Sequence, residues 1–143
     1  MELSYDINQL DKIAYELQKK LFAQITEGID LPVTNTHLYM LHHIKNQGEC
    51  MVTDIANYLG VTMGAVTGLV DRLHDFKLVR RDRSETDRRL VIIRLSEAGE
   101  ELLKKVDNKR RQVLNNYLKD IDQEELSYLC NIMEKIATKV LNS

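Results

Sequence analysis

Hydrophobic residues recur every three or four positions along most of the chain, and this spacing predicts amphipathic helices. The longest repeat predicts one helix from about residue 4 to residue 27, which Gly28 and Pro32 end. Its apolar stripe consists of Leu3, Ile7, Leu10, Ala14, Leu17, Leu21 and Ile25.

Three shorter helices are predicted in the next part of the chain, each preceded by a threonine that can cap it. Thr34 is the expected N-cap of a second helix, which Gly48 closes. Thr53 is expected to cap a short third helix, and Gly60 supplies the turn that follows. Thr62 is the expected cap of a fourth helix.

The period of the pattern changes after the fourth helix. Residues 78–83 and 90–95 are short β-prone runs joined by the polar segment 84–87, which predicts a hairpin. Ser96 is the expected N-cap of a fifth helix that reaches about Leu118.

A sixth helix is predicted to end at Leu141, and Asp122 and Glu125 have the spacing of a capping box at its start. The element order is therefore four helices, a hairpin and two helices. This order predicts a mainly α fold with a small β-hairpin, in the α+β class.

Residues 52–71 have the spacing of a helix-turn-helix. Ala56 is small where two helices would cross, and Gly60 tolerates a positive φ in the turn. Val66 and Leu69 would lie in the core of the second helix. Helical pairs of this kind also occur in proteins that do not bind DNA, so the spacing alone leaves both interpretations open.

The charge distribution favours nucleic-acid binding more than the net charge of −2 does. Between Asp71 and Arg94 there are eight lysines and arginines against five acidic residues, a local surplus of three. A cationic segment beside a helix-turn-helix is typical of a surface that contacts phosphates. A solvated, salt-bridged hairpin is the alternative interpretation.

Three segments resemble the multiple-antibiotic-resistance regulator (MarR) family: GLVDRL at 68–73, LVRRDR at 78–83 and DRRLVIIRLSEAGEELL at 87–103. The matches to the wing signature and the junction after it are Asp87, Arg89, Ile93, Leu95 and Ser96. The resemblance implies a winged helix-turn-helix at 34–95 and a helical dimerisation part formed by 1–30 and 96–143. It further implies a homodimer on a palindromic operator of double-stranded DNA, commonly a repressor that a small-molecule effector relieves.

The fourth helix should face the groove with residues opposite its apolar stripe: Met63, Gly64, Thr67, Gly68 and Asp71. This face holds no lysine or arginine before Arg72, whereas many members of the family carry a basic residue there. Two glycines would let the backbone sit deeper, which would bring Thr62, Met63 and Thr67 near base edges. Alternatively, the glycines are only tolerated on a solvated face.

In the hairpin, Arg83, Arg88 and Arg89 flank an acidic tip. The resemblance makes Arg89 the candidate for the minor groove, with Asp87 orienting it. The alternative is that these arginines only pair with surface carboxylates. Three further arginines could contact phosphates or pair within the domain: Arg72, Arg80 and Arg81.

Other residues suggest further hypotheses. An effector pocket could be lined by Tyr15, Tyr39, Met40 and Tyr58. His37, His42 and His43 lack the spacing of a metal site, and Cys50 and Cys130 are far apart, so metal and redox sensing are less favoured. A protein-interaction module is the remaining alternative function. We expect no enzyme activity, no cofactor, no membrane segment and a cytoplasmic location.

Overall fold

The computed structural model describes residues 6–143, and the first helix, α1, spans Ile7–Ile25. Asp6 caps it, because its carboxylate accepts hydrogen bonds from the backbone N–H groups of Asn8 at 2.9 Å and Gln9 at 3.3 Å. The predicted long N-terminal helix is confirmed over this range. Leu3, the first residue of its predicted stripe, lies outside the described residues.

Helices α2 (Asn35–Gln47), α3 (Val52–Leu59) and α4 (Met63–Asp75) follow. Thr34 and Thr62 are confirmed as the N-caps of α2 and α4.

Thr53 is not the cap of α3, and that prediction is wrong. The cap residue is Met51, whose backbone N–H donates to the Asp54 carboxylate at 2.9 Å. The physical reason lies one residue earlier, where Cys50 forms a β-bridge with Ile93. This bridge keeps the chain extended up to Met51, so the helix begins directly after it.

Strands β1 (Val79–Arg83) and β2 (Val91–Leu95) form the predicted hairpin and pair antiparallel. The register places Val79 opposite Leu95 and Arg83 opposite Val91. Two backbone hydrogen bonds between Cys50 and Ile93, 2.9 and 2.7 Å long, attach β2 to the connection between α2 and α3. The hairpin is therefore anchored to the helical part of the domain at its root.

Helix α5 spans Glu97–Leu118, and Ser96 precedes it as predicted. The Ser96 hydroxyl accepts from the N–H of Gly99 at 3.0 Å and donates to the carbonyl of Lys77 at 2.6 Å. Gly99 is required here, because a Cβ atom would lie 2.1 Å from the carbonyl oxygen of Leu78. Close contact with the start of the hairpin thus fixes the first turn of α5.

Helix α6 spans Gln123–Leu141 and begins after Asp122, but the Asp122 side chain makes no capping hydrogen bond. The predicted capping pair with Glu125 is therefore wrong. Glu124 and Glu125 instead place negative charge in the first turn, where the helix dipole favours it.

The chain forms two compact units, one up to Arg110 and one from Arg111 to Ser143. The core of the first unit consists of fully buried side chains that include Leu38, Leu41, Ile44, Ile55, Val66, Leu73, Ile93 and Leu103. In the second unit, α6 exposes an apolar stripe instead: Leu129, Ile132, Met133, Ile136 and Val140 are 49–64% exposed. The predicted division into 34–95 and the two chain ends stays a prediction.

Candidate nucleic-acid interface

Helices α3 and α4 meet in a tight turn at Gly60. Its φ of +70° lies in the left-handed region, where glycine is unstrained. The N–H groups of Gly60 and Val61 both donate to the carbonyl of Ala56, at 2.9 and 3.1 Å. Ala56 is buried, as expected for a small residue at a helix crossing. Thr62 then starts α4 by accepting from the N–H of Ala65 at 3.2 Å.

The outward face of α4 is exposed and carries little side-chain bulk. A Cβ atom added at Gly64 or Gly68 would meet nothing within 4 Å, so no protein contact requires glycine at either position. Met63 beside them is 53% exposed. The Thr67 hydroxyl donates to the carbonyl of Met63 at 3.0 Å, which leaves its oxygen available as an acceptor.

Two arginines on or in contact with α4, Arg81 and Arg72, have protein partners. Arg81 of β1 donates to the Asp71 carboxylate of α4 at 2.6 Å, so the pair joins the hairpin to the helix. The Arg72 guanidinium lies over the Phe76 ring, 5.8 Å from its centroid. Of the two roles that the sequence left open for Arg81, the geometry supports pairing within the domain.

We call the hairpin of β1 and β2 the wing, and the loop between its strands (residues 84–90) the wing tip. Short-range hydrogen bonds close this loop. Arg83 donates to the carbonyl of Arg88 at 2.8 Å, and the N–H of Ser84 donates to the carbonyl of Leu90 at 2.9 Å. The Ser84 hydroxyl accepts from the N–H of Thr86 at 3.3 Å. The Arg83 side chain is therefore hydrogen-bonded to the loop. Arg88 contributes only its backbone carbonyl to this bond.

Asp87 contacts Arg89 at the wing tip. Its Oδ1 accepts from the backbone N–H of Arg89 at 3.0 Å and from Nε at 3.3 Å. The Arg89 side chain is nevertheless 92% exposed. Asp87 thus holds Arg89 at its backbone and at Nε, and the two terminal nitrogens of the guanidinium are left for an external acceptor.

Sequence reasoning missed the ion pairs at the root of the wing. Arg94 of β2 donates to the Glu49 carboxylate and lies 3.4 Å from the Asp82 carboxylate. These pairs join β2 to the α2–α3 connection and to β1. Glu49 and Arg94 are 45 positions apart, so no local pattern in the sequence could have identified them.

The family model described as MarR family matches residues 30–90, which contain α2, α3, α4, β1 and the wing tip but not β2. The HTH-type transcriptional repressor MdtR of Bacillus subtilis is 30% identical over 122 residues, covering 85% of this chain and 79% of MdtR. The chain belongs to the MarR family.

Solved structures agree with this assignment. A MarR family protein from Bacillus stearothermophilus is 28% identical and superposes with a TM-score of 0.79, covering 94% of this chain and 91% of that one. Streptococcus pneumoniae FabT, solved in complex with DNA, is only 15% identical but has a TM-score of 0.82, covering 96% and 99%. The winged helix fold is confirmed, and this MarR-family protein is a DNA-binding transcriptional regulator.

The three histidines of α2 have three separate environments. His37 is buried and completes a capping box, because its Nδ1 accepts from the N–H of Thr34 at 3.0 Å. Burial, and secondarily the charge of Arg72, lowers the pKa of His37 from its ordinary 6.5. Among the described residues, no group of three or more potential ligands is placed to hold a metal ion.

His42 Nε2 lies 3.4 Å from the Asp107 carboxylate of α5, whereas His43 stacks on Tyr58 with 4.0 Å between ring centroids. Of the residues proposed for an effector pocket, Met40 is fully buried in the core. Tyr58 lines an open cavity together with His43, whereas Tyr15 and Tyr39 are exposed and do not line it. An effector pocket lined by these four residues stays a prediction.

The two cysteines differ in environment. Cys50 is buried, and this burial, followed by the charges of Asp54 and Glu49, raises the pKa of its thiol. A raised thiol pKa lowers the thiolate fraction and hence its reactivity. Cys130 is exposed on α6. No helix within residues 6–143 has the length and apolar character required to cross a membrane.

Proposed function

We propose that this MarR-family regulator is a repressor that binds a pseudo-palindromic operator as a homodimer. In this proposal, α4 enters the major groove and Arg89 of the wing enters the adjacent minor groove. The observation that carries the proposal is the pairing of an open, cation-free face on α4 with a 92% exposed arginine on the wing. The MdtR relative is itself named a transcriptional repressor.

The exposed apolar stripes support a homodimer. On α1, Ile7, Leu10, Ile13 and Leu17 are 48–60% exposed, and the stripe of α6 is similarly open. Contiguous apolar surface of this kind is unusual on a monomer and typical of a protein interface. Residues 1–30 and 96–143 would then form the dimerisation part, and 34–95 the DNA-binding part.

The major-groove contact would rely on close backbone approach. Thr62, Met63, Gly64, Thr67 and Gly68 form the surface that would face the bases. With no Cβ at the two glycines, α4 can lie nearer to the groove floor than a helix with bulky side chains. The Thr67 oxygen, whose hydrogen is donated to the Met63 carbonyl, would then accept from an amino group on a base edge.

The wing would supply the charge that this face of α4 lacks. A narrow minor groove concentrates negative potential and attracts an arginine side chain. Asp87 would hold the base of Arg89 in place, while Arg88 and the remaining donors of Arg83 and Arg72 would lie near the phosphates. This division assigns base reading to α4 and shape reading to the wing.

The regulator acts on DNA, so we place it in the cytoplasm, and we propose that it works without catalysis or a cofactor. A small-molecule effector would relieve binding. The relatives that support these statements are transcriptional regulators.

An operator selected from genomic DNA on the purified protein tests the proposal. Two recognition helices related by a two-fold axis enter successive major grooves, so the half-sites should lie about 10 to 10.5 base pairs apart. Inserting five base pairs between them rotates one half-site to the opposite side of the duplex. We expect affinity to fall about 100-fold or more, because only one half-site can then be engaged.

A ten-base-pair insertion restores the rotational phase and is the matched control. Binding by mobility shift at several salt concentrations, with competitor DNA, distinguishes operator binding from docking on an acidic protein partner. Tight binding that survives the five-base-pair insertion contradicts rigid two-fold docking.

A further inference from the structure

An open cavity of about 500 Å³ lies on the side of the α2–α3 pair, within the first compact unit. The lining comes from both helices: His43 and Gln47 of α2, and Asp54, Asn57 and Tyr58 of α3. Small-molecule sites commonly have volumes of roughly 300 to 1,000 Å³. The DNA-facing residues of α4 and the wing tip take no part in the lining.

Two stacked rings form the aromatic part of this cavity. His43 and Tyr58 lie face to face, with centroids 4.0 Å apart and an interplanar angle of 8°. Tyr58 is 54% exposed, so a large part of its surface is open to a third ring or to a cation. A planar ligand could therefore extend the stack.

The charged groups of the cavity are acidic. Glu49 and Asp54 contribute carboxylates, and no described residue that lines the cavity is a lysine or arginine. The buried Cys50 is also a lining residue, and burial, followed by the charges of Asp54 and Glu49, raises the pKa of its thiol. A cation is therefore favoured in the cavity over an anion.

We propose that this cavity binds a small planar organic cation, with its charged end against the carboxylates of Asp54 and Glu49 and its ring stacked on Tyr58. An amidine or guanidine attached to an aromatic ring has this chemistry, because its planar N–H donors match a carboxylate. Gln47 and Asn57 supply additional amide groups at the rim.

Occupancy of the cavity affects the wing through two connections at its rim. Glu49 also accepts from Arg94 of β2, so a bound cation competes with Arg94 for the same carboxylate. Cys50 is joined to Ile93 of β2 by two backbone hydrogen bonds. A ligand that draws Glu49 away from Arg94 leaves the hairpin less firmly attached to the helices. This consequence for DNA binding rests on the proposed function.

Benzamidine, benzamide and benzoate form a matched set of probes, since they share a ring and differ in charge. In two-dimensional NMR titrations of the full-length protein, we expect benzamidine to shift the amide signals of residues 43–58. Benzamide should bind at least about tenfold more weakly because it loses charge-assisted hydrogen bonds, and benzoate should not bind.

Two variants test whether the carboxylate of Asp54 and the ring of Tyr58 bind the ligand. Asp54→Asn removes the charge but keeps an acceptor for the Met51 N–H, and Tyr58→Ala removes the stacking surface. Each should weaken benzamidine binding at least fivefold, whereas Tyr39→Ala, which alters an exposed tyrosine outside the cavity, should leave it unchanged. Circular dichroism checks that each variant keeps its helix content.

Equal binding of the three probes, absence of benzamidine binding, or binding that both cavity variants retain would overturn the site. In operator-binding measurements, saturating benzamidine should lower operator affinity at least threefold. The benzamidine concentration that gives half of this effect should be at least fivefold higher for Asp54→Asn than for the unsubstituted protein. Benzamidine bound in the cavity with unchanged operator affinity overturns the connection to the wing but supports the site. A protein that binds benzamidine and no DNA contradicts the proposed function instead.

Discussion

The outward face of α4 and the wing tip both belong to the DNA-binding part that we propose, but they differ in construction. On α4, two glycines leave open space, and the nearby Arg81 is paired with Asp71. At the wing tip, hydrogen bonds from Arg83 and to Asp87 close a short loop, and Arg89 extends from it into solvent. The face of α4 is thus suited to close fit, and the wing to charge.

Adding a large side chain to the outward face of α4 should lower operator affinity more than any other substitution discussed below. Gly68→Gln introduces a neutral side chain of high helix propensity, so the free energy of unfolding should rise by roughly 0.5 to 1 kcal/mol. Operator affinity should fall about tenfold or more, because the side chain holds the backbone away from the bases. Chemical denaturation and fluorescence anisotropy measure the two quantities.

The opposite changes in stability and affinity separate close approach from a folding defect. Gly48→Ala is a useful contrast, because Gly48 has a φ of +78° and alanine there should lower stability. Unchanged operator affinity in Gly68→Gln would mean that the glycines lie on a solvated face.

Removing charge from the wing should have the next largest effect. Arg89→Ala should weaken binding to every operator severalfold and reduce the slope of log affinity against log salt by about one unit. Preferences among base substitutions in the major groove should persist. Affinity is measured at several salt concentrations on the cognate operator and two substituted ones.

Lys119→Ala is the matched control, since Lys119 is an exposed cation in the turn between α5 and α6. If Arg89→Ala leaves both operator affinity and salt slope unchanged, the wing is a structural hairpin. The proposal that the wing supplies charge to the DNA contact is then wrong.

Thr67 should show the opposite behaviour at a smaller magnitude. Thr67→Val removes the hydroxyl and keeps the branched shape, so it should cost about 1 kcal/mol on the cognate operator and relax discrimination at one base position. The salt slope should not change. Thr67→Ser, which keeps the oxygen, should retain discrimination in the same anisotropy series, and a loss there would assign the contact to the methyl group.

Lowering the pH should have the smallest effect. It should act on the stability of the folded protein through His37 of α2, and not directly on the outward face of α4 or on the wing tip. The pKa of buried His37 is below 6.5 in the folded state and near 6.5 in the unfolded state. Its contribution to stability is therefore present above pH 6.5 and is lost as pH falls through that value toward the folded pKa. Protonation at Nδ1 would also break the bond from Thr34.

His37→Gln keeps a capping acceptor without a titrating group. Urea unfolding at about pH 7.5 and about pH 5.5 should show a smaller loss of stability in this variant than in the unsubstituted protein. Equal losses would place the pH sensitivity on other groups.

Local patterns predicted most of the helices because the decisive interactions are local. Thr34 and Thr62 cap helices through N–H groups three residues away. Gly60 adopts the left-handed turn that its position between two helices requires. The pairing of Asp87 with Arg89 also spans only two residues, which is why the sequence could suggest it.

Long-range contacts produced the corrections. The start of α3 depends on the bridge between Cys50 and Ile93, 43 positions apart, and not on the nearby Thr53. The stacking of Tyr58 on His43, which lies on another helix, is a contact that the sequence did not predict.

Residue order was sufficient to predict the helix-turn-helix, the hairpin and the concentration of arginines in the hairpin, because periodicity, caps and charge are properties of neighbouring residues. The fold determines which arginines keep an exposed guanidinium. Arg81 and Arg94 are tied to Asp71 and Glu49, while Arg89 remains exposed. The physical reason is that an ion pair depends on distance in space, which the fold sets and residue order does not reveal.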